Sequence, residues 1–498
     1  MNIKLLRRFS LGYLLLPNLI FFFFWTRLPI AAVGIAVLLF IFADVLRDRD
    51  FESSNVLNGK DLLVLGLAST LVTFVSGVAG LAYQTFDYWC HNTKFYELLM
   101  YDWPIRIPLD GPVISYYYGY YVVPALISKS VGSINELVIF IWTALGFFLG
   151  LAWLYVVLNK KIIYVLLAMA VGDTPHVLKT VFYKITGTMY EMGDFGVESW
   201  SNFENLLWVP NQVIPTLIIG GMFVYLLKNK IELEHIVLPV ALTFWWAVFP
   251  AFTSGLLAAV LIIRKWILKG LKLDWIFVGK TVLLPVLVCA PVLLFFLSHE
   301  EAPISGFIWE FSDSMSARVV EYAINIGVNL VIFFLGYIVF RHLAPRTLPP
   351  QPYLIILLFI LVFPVYRMGK VNDFLFRGLM PYLLIVGTYL FYPFAAMSGK
   401  EVLTAVRRSP AHIVLFLMLV SCSFIEAGRI GRALKVNLLT KKMVPEKVAF
   451  EPIPYDAYPN IYEVLKDRWS QREADQYLGK KDSVYELNMA PGKPQNNP

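Results

Sequence analysis

The chain has 498 residues, 58% of them hydrophobic and 15% charged, with a formal net charge of +7. Soluble proteins carry roughly 25% charged residues, so this mixture leaves too little polar surface for a water-soluble fold. Nor does the positive balance point to nucleic acid, because Lys and Arg fall in short clusters between apolar runs, the pattern that sets orientation in a bilayer.

Met1 to Arg8 is basic and leads into an apolar stretch without a small-residue cleavage site, which predicts an uncleaved first helix rather than a signal peptide. Apolar runs near 11–25, 29–46 and 61–83 follow, with Arg47, Arg49 and Lys60 marking a cytoplasmic loop. Runs such as Asp61 to Tyr83, Phe277 to Ser298 and Gly378 to Ala395 approach the ~20 residues a spanning helix needs. Four later cation clusters mark further cytoplasmic loops: Lys228 with Lys230, Arg264 with Lys265 and Lys269, Arg341 with Arg346, and Lys400 with Arg407 and Arg408. They put segments 84–110, 173–212, 299–318 and 366–377 together on the outer side. Three apolar stretches, 112–131, 133–157 and 162–172, lie between the first two of these, where parity allows only an even number of crossings. The shortest follows Lys160 and Lys161 and is expected to be re-entrant or interfacial.

The expected fold is an all-α, polytopic transmembrane helix bundle of about 13 spans over residues 1–427, in the cytoplasmic (inner) membrane with its N-terminus inside. The tail, 428–498, loses the apolar runs and is expected outside as a small extramembrane appendage. Within it, 460–478 sets Ile461, Leu465, Trp469 and Tyr477 among charges, which predicts an amphipathic helix against the outer loops.

Chemistry is sought where polar residues meet the ends of apolar runs. Directly after the third run, Phe86-Asp87-Tyr88-Trp89-Cys90-His91-Asn92-Thr93-Lys94 places a carboxylate among aromatic residues. On a helical continuation Asp87, His91 and Lys94, at spacings of four and three, share one face and can act on one bound molecule. Asp102-Trp103-Pro104 and Asp110-Gly111-Pro112 then lead into Tyr116-Tyr117-Tyr118-Gly119-Tyr120-Tyr121. These tyrosines read first as an interfacial aromatic belt, with Asp102 and Tyr117 as candidate substrate contacts.

A long outer loop, an acid just after the helix entering it, and a Pro- and Tyr-rich start to the next helix resemble the GT-C superfamily of membrane glycosyltransferases. The resemblance implies a GT-C-like fold, a sugar donor carried on polyprenyl phosphate, and a catalytic Asp or Glu in that loop, which by position is Asp87. The chain departs from the pattern in two ways: Tyr88 stands where many relatives carry a second acid, and two helices precede the one entering the loop. Two more outer segments resemble those of bacterial multi-spanning proteins usually assigned to this superfamily. One is Trp208-Val209-Pro210-Asn211-Gln212, preceded by Asp194, Glu198 and Trp200; the other is Arg367-Met368-Gly369-Lys370-Val371-Asn372-Asp373-Phe374-Leu375-Phe376-Arg377. The tail pattern Asp475-Gln476-Tyr477-Leu478-Gly479, followed by Asp482-Ser483, resembles theirs too, with no mechanism attached.

Arg367, Lys370 and Arg377 also carry a physical signal, because cations at the outer end of a helix run against the positive-inside bias. An anion belongs there, and guanidinium groups grip phosphate bidentately while Lys370 adds a point charge. Asn372 and Asp373 are placed to orient the cations or a sugar hydroxyl; the competing reading is a local ion pair of Asp373 with Arg377. Asn211, Gln212, Asp194 and Glu198 complete the candidate substrate contacts, the last two reading equally as an ordinary helix face.

The expected reaction is transfer of a sugar from a polyprenyl-phosphate donor to a glycan, lipid or protein hydroxyl, with Asp87 as base and Arg or Lys at the phosphate. Expected partners are that donor, its acceptor and membrane lipid, with no nucleic acid. A transporter or flippase for a lipid-linked or anionic substrate, a polysaccharide polymerase or ligase, and a membrane scaffold are the competing classes. Concentration of charge in loops rather than at the midplane favours surface chemistry, although Glu136, Lys280 and Glu321 lie close to helices. No cofactor motif is present: His residues are scattered, there is no Gly-rich phosphate loop, and Cys90, Cys289 and Cys422 have no metal spacing. Glu300, Glu301, Glu310 and Asp313 offer a place for a divalent metal together with Asp87, against the plainer reading of a solvated loop.

Overall fold

The computed structural model describes residues 1–47, 51, 56–188, 199–344, 347–435 and 452–492. Apolar runs become helices here because a helix satisfies its own backbone hydrogen bonds, which lipid cannot do. Among the described residues nine helices are long and apolar enough to cross a membrane, or ten if the bent pair Ile162–Met169 and Thr174–Thr186 is one span. The molecule is an all-α, multi-pass helix bundle. Its strands among the described residues are a short antiparallel pair, Ser305–Phe307 with Tyr366–Met368, in which Gly306 faces Arg367.

The count of long helices falls below the expected thirteen because several apolar runs fold as short or broken helices. In 112–131 only Val122–Val131 is helical. The preceding tyrosine tract is non-helical, and the Gly119 N–H reaches out of it to donate to the Trp245 carbonyl at 3.0 Å. The run 162–172 ends in a 78° break. Just beyond it lies the buried Asp173, paired at 3.0 Å with Arg429.

Pro210–Asn229 forms the centre, with 94% of its apolar window buried, whereas Pro410–Gly431, at 22%, lies on the periphery. The central helix packs against Glu136–Val157 and Met380–Ala395. A Cβ on Gly150 would stand 2.5 Å from the Leu217 Cβ, so the first pair touches almost backbone to side-chain root. Small residues at such crossings give transmembrane helices their dispersion contacts when no water is present to drive them together.

The last long helix runs Pro410–Leu434, past the boundary expected at 427/428. Arg429 finds partners in Asp173, Glu204 and Glu426, which keeps the added turn inside the protein. The amphipathic stretch 460–478 is two helices, Ile461–Arg468 and Gln471–Asp475, broken at Ser470, whose hydroxyl caps the second.

This tail is stitched across one rim of the bundle. The Ile453 N–H donates to Gln84 at 2.8 Å, the Ile461 N–H to Glu97 at 2.7 Å, and the Ser115 N–H to the Tyr477 carbonyl at 2.9 Å. Further on, Glu486 pairs with Arg106 at 2.6 Å and the Tyr485 hydroxyl donates to the Trp25 carbonyl at 2.6 Å. Gly479 makes the crossing possible: a Cβ there would overlap the Val113 carbonyl oxygen and lie 2.9 Å from the Pro112 Cβ.

Candidate functional site

Asp87 stands at the N-cap position of the helix Tyr88–Met100, yet its carboxylate caps no backbone N–H. It turns instead toward Arg377, whose guanidinium lies 3.9 Å away. Arg377 is held from its other side by Asp373 at 2.6 Å, an ion pair between side chains 19% and 13% exposed. Asp87, His91, Lys94, Tyr117, Lys370, Asp373 and Arg377, all expected from the sequence, line one cleft together with Cys90 and Tyr116. The face inferred from the four-and-three spacing is therefore the face that looks into the cleft.

Burial sets the protonation behaviour of the cleft. It raises the Asp87 carboxyl above the usual range, opposed by the positive charges of Arg377 and Lys94 and reinforced by Asp373. The Lys94 ammonium is pushed down to about 8 by burial, with Glu97 and Asp87 acting against the shift and Arg377 adding to it. Three aromatic faces hold that ammonium, with the Tyr121, Tyr116 and Tyr117 ring centres at 4.3, 4.8 and 5.2 Å. Burial also pushes His91 well below its ordinary value, so the ring is neutral. The Trp208 carbonyl, 2.8 Å from Nε2, can only accept, which puts the proton on Nε2 and leaves Nδ1 to accept from the Tyr121 hydroxyl at 2.6 Å. His91 thus fixes the wall and has no ring nitrogen left for proton transfer.

The tyrosine tract is a wall, not a belt facing lipid: Tyr116, Tyr118, Tyr120 and Tyr121 are buried. Tyr116 stacks on Tyr117, with Tyr477 of the tail against its other side, at ring distances of 4.5 and 4.4 Å. Tyr118 donates to Glu97 at 2.9 Å.

The segment 366–377 divides its three cations. The Arg367 guanidinium donates to the Gly369 carbonyl at 3.2 Å and to the Lys370 carbonyl, and lies over the Phe311 ring. It pins the loop and is not among the residues lining the cleft, where it was expected. Asn372 likewise holds the loop: its side chain donates to the Pro364 carbonyl at 3.0 Å and accepts from the Leu375 N–H. The turn needs Gly369, at φ +77°, because a Cβ there would also overlap the Asp373 carboxylate.

Other expected contacts separate. Asp102 is exposed and lines neither cleft described here. Asn211 is fully buried in the central helix, away from the cleft lining. Asp194 and Glu198 lie outside the described residues. Gln212 lines a second cleft that shares Tyr117, Gly369, Asp373, Arg377, Gln476 and Tyr477 with the first. Val248, Phe249, Phe296 and Met368 make the second cleft the more apolar of the two.

Glu300, Glu301, Glu310 and Asp313 are exposed and line neither cleft, so they do not assemble an ion site with Asp87. Among the described residues no group of three or more His, Cys, Asp or Glu side chains is arranged to hold a metal ion.

No family model, curated protein or solved structure matches the chain.

Sequence reasoning missed the tail's share of the site. Leu465, Trp469, Glu473, Gln476 and Tyr477 line the cleft, and the tail helix Ile461–Arg468 packs against Asp87's helix. The amphipathic spacing of 460–478 pointed to the outer loops, but it does not say which of its side chains reach the cleft. Glu97 was missed as well, a fully buried acid whose two oxygens take Tyr118 and the tail's Ile461 N–H.

Proposed function

We propose that this chain is a GT-C-type glycosyltransferase that moves a sugar from a polyprenyl-phosphate donor to an acceptor hydroxyl at the outer rim of the cytoplasmic membrane. The observation that supports this reading is the meeting of Asp87 and Arg377 in one largely buried cleft, with Lys94 and Lys370 on its walls. Asp87 takes the proton of the acceptor hydroxyl as that oxygen attacks the anomeric carbon. The bond from that carbon to the phosphate oxygen breaks, and the electron pair leaves with the polyprenyl phosphate. Arg377, Lys370 and Lys94 balance the negative charge that grows on the departing phosphate, and Asp87 returns its proton to water or to that phosphate. Burial suits the base, because a carboxylate with a raised pKa accepts a proton more readily than an exposed one. The adjoining apolar cleft, walled by Val248, Phe249 and Phe296, receives the first isoprene units of the donor.

In this reading thirteen crossings are made by the nine long helices together with Gly59–Val75, the bent stretch that begins with Ile162–Met169, and the short apolar helices Leu233–Thr243 and Pro350–Val365; Val122–Val131 stays on the outer side, because Lys160 pairs with Asp61 and Lys228 donates to the Val157 carbonyl, which puts the end of Glu136–Val157 at the cytoplasmic face. The N-terminus is then cytoplasmic and the rim carrying Asp87, Arg377 and the tail is external, with a glycan, lipid or protein as acceptor. The test is Asp87→Asn in protein shown to insert and fold normally, assayed with a panel of radiolabelled polyprenyl-phosphate sugars in membranes. Loss of at least a hundredfold in transfer is expected. Retained transfer removes Asp87 as base, and failure of the wild type to transfer from any member of the panel removes the reaction.

A further inference from the structure

The tail's second short helix places an incompletely satisfied acid in the cleft wall. Glu473 is 8% exposed and lines the cleft. Its Oε2 accepts from the Gln476 amide at 2.9 Å, while Oε1 is buried without a hydrogen-bond partner. An unsatisfied buried carboxylate oxygen is costly, and a native fold keeps one where a ligand completes it. Gln476, Trp469 and Tyr477 line the same wall. Trp469 packs on Phe86 at 4.6 Å and Tyr477 on Tyr116 at 4.4 Å, which fixes both rings.

We propose that this face of the tail is a sugar-binding subsite, in which Glu473 and Gln476 take ring hydroxyls and Trp469 and Tyr477 flank the ring. A carboxylate oxygen accepts hydroxyl donors, and aromatic side chains offer apolar faces to the C–H side of a ring. A metal ion is the poorer occupant, since no three-ligand group is assembled among the described residues. Phosphate is disfavoured at Glu473 itself by like charge and belongs with Lys370 and Arg377, which line the same cleft. The subsite rests on the transferase reading, and within it specificity for the ring comes from the tail while bond breaking belongs to Asp87. The ring is that of either the donor or the acceptor; both present the same hydroxyl chemistry.

The test uses the full chain in lipid nanodiscs and saturation-transfer NMR. Probes are the methyl pyranosides of glucose, galactose, mannose and N-acetylglucosamine, with the matching sugar 1-phosphates. Wild-type protein is expected to bind at least one methyl glycoside. Glu473→Gln, which keeps shape and loses charge, is expected to weaken that binding about ten- to a hundredfold, and Gln476→Ala several-fold, at an unchanged thermal midpoint. Binding and transfer are read separately in the wild type: glycoside binding without transfer from any donor keeps the subsite and removes the transferase reading, so the two failures register in different measurements. Tighter binding of the 1-phosphate, abolished by Arg377→Gln, assigns the ring to the donor; equal binding of the two forms assigns it to the acceptor. Absence of binding by every glycoside, or binding by Glu473→Gln and Gln476→Ala equal to wild type, overturns the proposal.

Discussion

Arg377 does two jobs that a pair of substitutions can separate. It neutralises Asp373 at 2.6 Å and, in the proposed reaction, meets the departing phosphate. Replacing it with Gln strands Asp373 in a site where both side chains are less than one-fifth exposed. Breaking a fully buried pair costs about 3–5 kcal/mol, and the residual exposure reduces this to about 2–3 kcal/mol. Asp87 loses its nearest cation as well. Independently, one charge-assisted contact to phosphate is worth about 1.5–3 kcal/mol, or roughly ten- to a hundredfold in kcat/KM. The double variant Asp373→Asn/Arg377→Gln removes the stranded charge together with the cation. It should recover most of the lost thermal stability in nanodiscs and none of the lost transfer. If transfer returns to within about threefold of wild type along with stability, Arg377 is only a counter-ion for Asp373 and the phosphate role is refuted.

Three further outcomes are expected. Lys94 carries its proton only below about pH 8, so a phosphate-bearing ligand such as farnesyl phosphate should bind progressively more weakly above that pH, by at most about tenfold per unit; Lys94→Arg should carry the tight-binding range to higher pH, and a titration unchanged by that substitution would clear Lys94 of the phosphate. Glu97 is raised to about 8 by burial, above its ordinary 4.5, so the folded state keeps a proton that the unfolded chain releases; stability should fall as pH rises from about 4.5 to about 8, and Glu97→Gln should flatten that slope in thermal melts run across the range. Gly479→Ala drives a methyl into the Val113 carbonyl and should weaken docking of the tail by about 1–3 kcal/mol, seen as faster tryptic cleavage at the exposed Lys466 and Arg468; an unchanged cleavage rate would mean that the crossing has slack which the contacts do not suggest.

Asp87 and Arg377 were legible for different reasons. The acid was found from its place after an apolar run, and the cation from a charge standing where the orientation bias disfavours it. Their meeting was the least local inference in the sequence, and the geometry brings them to 3.9 Å. What the sequence did not separate was Arg367 from Arg377. Both are arginines on one segment, and the choice between them is made by the turn at Gly369, which hands the Arg367 guanidinium two backbone carbonyls and leaves Arg377 facing the cleft. Asn372 was assigned to substrate by the same averaging, since a polar side chain in a loop looks alike whether it bonds a sugar or the Pro364 carbonyl.

The tail shows the complementary limit. Its amphipathic spacing announced that 460–478 covers something, and even the break at Ser470 follows from a hydroxyl able to cap a new helix. The covered surface is assembled from four distant segments, at Gln84, Glu97, Ser115 and Ser298, and no pattern within the tail names them. That assembly also explains why Gly479 is glycine and why Glu97 is an acid buried against a backbone N–H: both serve the docking of a segment that helps close the cleft. Tail side chains line the cleft beside Asp87 and Arg377, so the cleft is sheltered while each charge keeps a protein partner. Loosening the tail should therefore lower the raised pKa of Asp87 before it disturbs the helices beneath, which makes the carboxyl of Asp87, followed by its pH titration in Gly479→Ala, the most sensitive reporter of whether the tail and the site are one unit.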